Sequence, residues 1–346
     1  MRAVRVVRND RPSAAIEIQD VEVPEPTPGT VRVAVSAASL NFGDIARCRG
    51  GVASVMATPP FTLGMDVCGV VDAAGDAAAA EWIGRRVVGM TVMSLGGMAE
   101  QALCSVNGVF DAPEGLDDVE AAAFTLPFHT GYLALYHRAK LQAGETLLVV
   151  GGASGVGTSV IQLGKAAGAD VIAIAGGAEK TRLCAELGAD ATVDYTADDI
   201  FDKVMDHTDG RGADVVCDMV GGQQTETIWT CVALEGRYLP VGFNDDPESG
   251  LTGRPLRKVS MGNFSVLGVM LGYNVTPLEL RRFGLNTLPP ELGPKVHAAL
   301  CALVAEGKIR PVIGRRISFG EVAAALDDHD QRRTTGRTVL DLSLDA

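Results

Sequence analysis

Between Thr146 and Lys180 the chain reads TLLVVGGASGVGTSVIQLGKAAGADVIAIAGGAEK: an apolar run, a glycine-rich turn, an apolar-periodic stretch and a second apolar run. A strand that turns through glycines straight into a helix and returns as a second strand is a unit of a doubly wound parallel sheet that binds a dinucleotide. The glycines have separate tasks. Gly152 lets the strand reverse tightly, Gly155 lets the backbone approach a pyrophosphate, and Gly157 lets the helix pack against the sheet. The helix is expected to begin near Thr158 and to aim free N–H groups and its positive end at the phosphates. Ser154 and Val156 complete the phosphate-facing turn. Ser154 stands where G-x-G-x-x-G has glycine, which it can do at negative φ, leaving its hydroxyl able to donate to a phosphate oxygen.

The end of the second apolar run selects the dinucleotide. A site for the unphosphorylated cofactor places Asp or Glu about 20 residues past the turn, whereas a 2′-phosphate requires that charge to be absent and a cation to be near. Gly176 and Gly177 occupy the position, followed by Glu179, Lys180 and Arg182. The expected cofactor is therefore NADPH, with Lys180 on the phosphate. The alternative is that Lys180 and Arg182 are solvated charges opening a helix.

A chain of 346 residues, 47% hydrophobic and 21% charged, has material for two domains with substantial cores. Its net charge of −13 argues against a nucleic-acid partner, which needs a clustered basic surface. The opening MRAVRVVR alternates cations with apolar residues and is not followed by the apolar core of a signal peptide, so a cytoplasmic protein is expected. The apolar stretch AAAFTLPFHTGYLALY is broken by Pro127 and His129 and is too short for a membrane span. The cysteines, at 48, 68, 104, 184, 217, 231 and 301, are too scattered for a disulfide scaffold, and no metal-ligand spacing occurs among Cys or His. His129 reads as a packed residue rather than a catalytic one, and His207 and His329 as helix-end residues.

Up to about residue 120, short strands alternate with Pro and Gly clusters, the pattern of an antiparallel, barrel-like β domain. Strands are then expected near Leu147–Val150, Val171–Ala175, Ala191–Asp194, Val215–Asp218, Tyr238–Val241 and Ser265–Met270. Helices lie between most of them, one opened by a capping box of Thr196 and Asp199. The tail beyond Gly272 is too small for its own core and should return to the first domain. The expected domains are thus 1–123 with 273–346, and 124–272. The apolar run Ser265–Leu271 falls at the sheet edge, where pairing with a symmetry mate gives a C2 homodimer.

LNFGD (Leu40–Asp44), GMDVCGVV (Gly64–Val71), GGASGVG, ELGAD (Glu186–Asp190), VVCDMVGG (Val215–Gly222) and RTTGRTVLDL (Arg333–Leu342) follow one another along this frame. With them the chain resembles, over essentially its whole length, the zinc-free quinone oxidoreductase branch of the medium-chain dehydrogenase/reductase superfamily. The resemblance implies an α/β protein: a GroES-like β-barrel domain plus a doubly wound Rossmann domain, with the C-terminal tail returning to the first domain. Zinc-dependent alcohol dehydrogenases share this scaffold. At their ligand positions this chain has Asn41, Met65 and Leu126, none a good zinc ligand at that spacing. Hydride chemistry without a metal needs an acceptor that is already electrophilic, such as a quinone or an α,β-unsaturated carbonyl.

The resemblance further implies roles for single residues. Asn41 would lie near the nicotinamide, orienting its amide or the acceptor oxygen, with Thr125 as a second nicotinamide contact. Tyr195 and Lys180 would meet the adenosine 2′-phosphate, Phe243 would stand at the mouth of the strand ends, Leu267, Gly268 and Val269 would make backbone contacts near the nicotinamide, and Arg333 would hold a phosphate. From the residues alone, Asn41 also reads as a turn or capping residue, Thr125 as a helix N-cap, Tyr195 as a strand-end aromatic, and Asp44 as support for a backbone or for Arg47. Many relatives carry Tyr-Pro after N-F-x-D. RCRGGVASVMATPP has no Tyr, which leaves the proton to Arg49, another side chain or water, or makes a dedicated donor unnecessary. Three functions stay open: an NADPH-dependent reductase of quinones or enones; an enoyl-thioester reductase with Arg254, Arg257 and Lys258 rimming a carrier channel; and an NADPH-binding protein without turnover.

Overall fold

A computed structural model describes residues 1–50, 57–242, 256–276, 278–282 and 284–345. Two compact units emerge, Met1–Leu126 with Gly272–Ala305 and Arg310–Ala346, and Pro127–Leu271 with Glu306–Ile309.

The first unit opens with β1 (Arg2–Val6), β2 (Ile16–Asp20), β3 (Thr30–Ser39), β4 (Phe61–Thr62), β5 (Asp66–Ala74), β6 (Arg86–Thr91) and β7 (Gln101–Asp111). In β3, TVRVAVSAAS, every second residue from Val31 to Val35 is buried, as expected of a strand with one face on a core. β3 pairs with β5, β5 with β6, β6 with β7, and β7 again with β3, so the sheet closes into a barrel. Gly69 allows the closure, because a Cβ there would stand 2.0 Å from the Ala34 carbonyl oxygen. Val33, Val35, Leu63, Val67, Val87 and Met98 belong to the core.

The second unit carries β8 (Thr146–Val150), β9 (Asp170–Ala175), β10 (Ala191–Asp194), β11 (Ala213–Asp218), β12 (Val232–Pro240) and β13 (Ser265–Val266). All pair in parallel, in the order β10-β9-β8-β11-β12-β13. Every residue of β8 is buried, which explains its unbroken apolar run: a parallel sheet is covered on both faces. The strand order reverses between β8 and β11, the point at whose carboxyl ends such sheets bind ligands.

The tail adds β14 (Ile313–Ile317) and β15 (Arg337–Asp341), and β15 runs antiparallel to β3 with Val339 opposite Ser39. The first unit is therefore completed from both ends of the chain. Residues 306–309 pack instead with the second unit.

Three expectations need correction. The edge strand expected over Ser265–Leu271 contracts to Ser265–Val266, where the Leu267 N–H makes its bond to the Tyr238 carbonyl. Beyond it the Gly268 carbonyl is taken by Arg138, and Met270 is exposed. Thr196 does not cap the helix Ile200–His207; its hydroxyl binds Asp194, and Asp199 caps through the Asp202 N–H at 3.0 Å. The helix after the glycine turn starts at Gly155, not near Thr158, because Ser154 is its cap. Among the described residues, no helix is long and apolar enough to cross a membrane.

Candidate active site

In the second unit the turn after β8 forms a narrow cradle. Gly151 (φ 79°) makes the reversal assigned above to Gly152. Gly152 is instead held small by its neighbours, since a Cβ would lie 2.9 Å from Cys184 Sγ and 3.1 Å from Ala173 Cβ. At Gly157 a Cβ would stand 2.1 Å from the Gly151 carbonyl oxygen, so the helix packs directly on the turn. Ser154 has φ −75°, and its Oγ accepts from the Gly157 N–H at 3.0 Å. A hydroxyl that accepts retains its own hydrogen to donate. Gly155 and Val156 precede the first intrahelical hydrogen bond, which runs from Thr158 N to the Ser154 carbonyl. Their N–H groups and the helix dipole suit a pyrophosphate.

Beside this turn, the ends of β9 and β10 bring Tyr195 and Gly176 together. A Cβ at Gly176 would meet the Tyr195 hydroxyl at 2.7 Å, so the tyrosine ring covers that glycine. Gly177 (φ 85°) opens the helix that carries Lys180. The sequence reading missed Asp194. Its Oδ1 accepts from the Gly177 N–H at 2.8 Å and from both the N–H and the hydroxyl of Thr196. Those bonds, the Thr196 hydroxyl first, hold its carboxyl below the usual range, and its charge is committed to fixing the loop. A second unanticipated acid, Asp218 at the end of β11, accepts from Val220 N, Gly221 N and the Tyr238 hydroxyl (2.6 Å), which shapes the loop bordering Gly151. Leu267 and Gly268 spend their main-chain N–H and carbonyl on Tyr238 and Arg138.

In the first unit Asn41, from the end of the β3 segment, is the centre of a buried polar network. Its Nδ2 donates to Asp66 Oδ1 (2.8 Å) and to the Ser39 carbonyl (3.2 Å), and its Oδ1 accepts from Arg337 Nη2 (2.9 Å). The capping alternative is present too: Asn41 precedes the helix Phe42–Arg49, and its backbone N–H donates to Asp44 Oδ2 at 2.8 Å. Burial pushes the Asp66 carboxyl up to about 6, against the pull of Arg337, the Asn41 bond and the Leu126 N–H. Burial likewise raises Asp44, with Arg47 the main opposing charge, and lowers Arg337, with Asp66 and Asp44 opposing. Two carboxylates and two guanidiniums thus balance one another out of water.

Thr125 is buried and is the first residue of the helix Thr125–Tyr132 rather than the residue before it; its Oγ1 has no partner among the described residues. Arg333 is two-thirds exposed and lies 3.7 Å from Asp328. Arg49 pairs with Asp330, Lys258 pairs with Glu226, and His129 is fully buried. Phe243 and Arg254 lie outside the described residues.

Comparison with known proteins gives this arrangement its context. Residues 27–114 match the alcohol dehydrogenase GroES-like domain, and residues 155–283 match the family described as zinc-binding dehydrogenase. A quinone oxidoreductase of Pseudomonas aeruginosa is 33% identical, across 94% of this chain and 95% of its own length. The chain belongs to the quinone oxidoreductase-like branch of the medium-chain dehydrogenase/reductase superfamily. It is accordingly a nicotinamide-dependent oxidoreductase with a GroES-like unit and a Rossmann-type parallel sheet. Among solved structures, the quinone oxidoreductase of Thermus thermophilus, described with its NADPH complex, matches at TM-score 0.78 and 30% identity over 99% of this chain and 100% of that one. An NAD-dependent alcohol dehydrogenase matches at 0.83 and 29% over the same shares. The family name raises the question of zinc. At the ligand positions named above, Asn41 offers only an amide oxygen, which already accepts from the Arg337 guanidinium, and Met65 and Leu126 offer no thiolate, imidazole or carboxylate. These three side chains do not fit the ligand set of a catalytic zinc.

Proposed function

We propose that this chain is a zinc-independent, NADPH-dependent reductase of quinones or small α,β-unsaturated carbonyls. The observation that carries the reading is the junction of Gly176, Gly177, Lys180 and Tyr195: no carboxylate leaves the end of β9, and a cation and a phenol flank the glycines. Asp194 is the charge that opposes it, and its engaged Oδ1 limits that opposition. Gly155, Val156 and Ser154 would take the pyrophosphate, and Lys180 and Tyr195 the 2′-phosphate. The cofactor, when bound, supplies a hydride, and one further proton completes a hydroquinone or a saturated carbonyl. Acceptors activated by their own conjugation need no Lewis acid, which matches a site without zinc donors. The thioester alternative is weaker, because Lys258, one of its candidate cations, is paired with Glu226.

The test is affinity for NADPH against NADH by calorimetry. Removing one charge-assisted contact costs about 1.5–3 kcal/mol, so Lys180→Ala is expected to weaken NADPH by about 10- to 100-fold and to leave NADH within about twofold. Equal losses for the two dinucleotides would contradict the phosphate assignment.

A further inference from the structure

We infer that Asp218, anchored through Tyr238, is a positioning residue for the glycine turn: it sets the loop after β11 against Gly151 and so holds the turn in the shape that a dinucleotide's pyrophosphate requires. This rests on the reading of that turn as a pyrophosphate cradle. All the groups concerned belong to the second unit.

Asp218 is the last residue of β11, the strand beside β8 at the point where the order of the sheet reverses. Its side chain and its main chain fasten different segments. Oδ1 accepts from the N–H groups of Val220 (2.8 Å) and Gly221 (3.0 Å), and Oδ2 accepts from the Tyr238 hydroxyl at 2.6 Å. The main-chain carbonyl accepts from Val241 N (2.8 Å) and Gly242 N (3.1 Å), which follow β12. One residue thus fixes the exits of two adjacent strands. Tyr238 is fully buried in β12 with the Trp229 ring edge-on to it at 5.9 Å, so the far end of the clamp is set in the core.

The loop held in this way bears on the turn. Met219 N donates to the Val150 carbonyl at 3.2 Å, which joins the loop to the last residue of β8. A Cβ at Gly151 would lie 3.0 Å from Val220 Cγ2 and 3.7 Å from Met219 Cβ, so both side chains stand against the residue that makes the reversal. The Asp218 side chain is itself 1% exposed, and burial raises its pKa against the pull of the Tyr238, Gly221 and Val220 bonds. Burying a carboxylate is costly unless hydrogen bonds meet it, and these come from the loop and its anchor. An amide would meet the same donors: its oxygen accepts from the two N–H groups, and its NH2 donates to the hydroxyl oxygen of Tyr238. The acceptor, rather than the charge, is what the loop needs.

The test is calorimetric affinity for NADPH and for NADH, measured at a temperature where circular dichroism shows each variant folded. Asp218→Ala leaves three donors without their acceptor, so both dinucleotides should weaken by the same factor, about 10- to 100-fold. Asp218→Asn should restore both to within about threefold of the unsubstituted protein. Tyr238→Phe removes the anchor alone and should weaken both by about 3- to 10-fold. Should Asp218→Ala fail to fold, the other two variants decide. Affinities within twofold of the unsubstituted protein in Asp218→Ala or in Tyr238→Phe overturn the inference, as does an Asp218→Asn variant that binds ten times more weakly. Losses that differ between NADPH and NADH also overturn it, because they place the effect at the 2′-phosphate. If the unsubstituted protein binds neither dinucleotide, the cradle reading itself falls and the inference with it.

Discussion

Arg337→Met is expected to lower the free energy of unfolding of the first unit by about 3–5 kcal/mol, the usual cost of breaking a buried ion pair from one side. The substitution removes the donor to Asn41 Oδ1 and to Ser39 Oγ, takes from Asp66 the guanidinium that opposes its burial, and leaves Asp44 with Arg47. It also unties the tail, because β15 meets β3 beside this residue. Asp66 can soften the loss by taking a proton, which its raised pKa of about 6 already favours. The paired Asp66→Leu/Arg337→Met change removes both charges and should recover most of the stability, since apolar replacement of a whole buried pair is often neutral. Urea unfolding followed by the fluorescence of Trp82 in a Trp229→Phe background reports this unit. A loss below about 1 kcal/mol for Arg337→Met would show that the network contributes little.

Gly157→Ala is expected to damage the cofactor cradle most among single-methyl changes. Its Cβ would come within 2.1 Å of the Gly151 carbonyl and 2.7 Å of the Gly152 carbonyl, both backbone atoms that cannot rotate away. The helix must move off the turn, carrying the Gly155 and Val156 N–H groups with it. Overpacking of this kind costs about 1–3 kcal/mol, and NADPH affinity should fall by about 10- to 100-fold. Gly177→Ala is a useful contrast, because nothing stands within 4 Å of its Cβ position and the strain there arises from φ 85° alone. Normal nucleotide affinity in Gly157→Ala would contradict the assignment of this turn as the pyrophosphate cradle.

The features legible in the sequence are those written in short spans of chain. A glycine turn between an apolar strand and a helix needs about a dozen residues, and the buried strands of a parallel sheet announce themselves by unbroken runs such as TLLVV. Even there the details moved by a few residues. Gly151 rather than Gly152 makes the reversal, and Ser154 caps a helix that starts three residues early. The polar network was not legible, because its partners are far apart in sequence: Asn41 and Asp66 are separated by 25 positions, and Asn41 and Arg337 by 296. A signal did exist. Asp66 and Arg337 are opposite charges placed at the mouths of two apolar strands, GMDVCGVV and TGRTVLDL, where a lone charge is costly unless it meets a partner. Asp194 and Asp218 escaped for a different reason: each ends a strand and binds groups two or three residues further on, a turn contact that apolar patterning does not report. The expected length of the edge strand failed because apolar composition signals burial, not pairing, and β13 has only β12 beside it.

The proposed reaction is the reduction of conjugated acceptors by NADPH without a metal. Its most direct test is the rate of NADPH oxidation by a small 1,4-quinone and by a simple enone, using protein dialysed against a strong chelator. Acceptor-dependent turnover is expected that chelation and added zinc leave within about twofold, with a higher kcat/KM for NADPH than for NADH. Turnover only after zinc is restored, or tight NADPH binding with no oxidation by any conjugated acceptor, would contradict it.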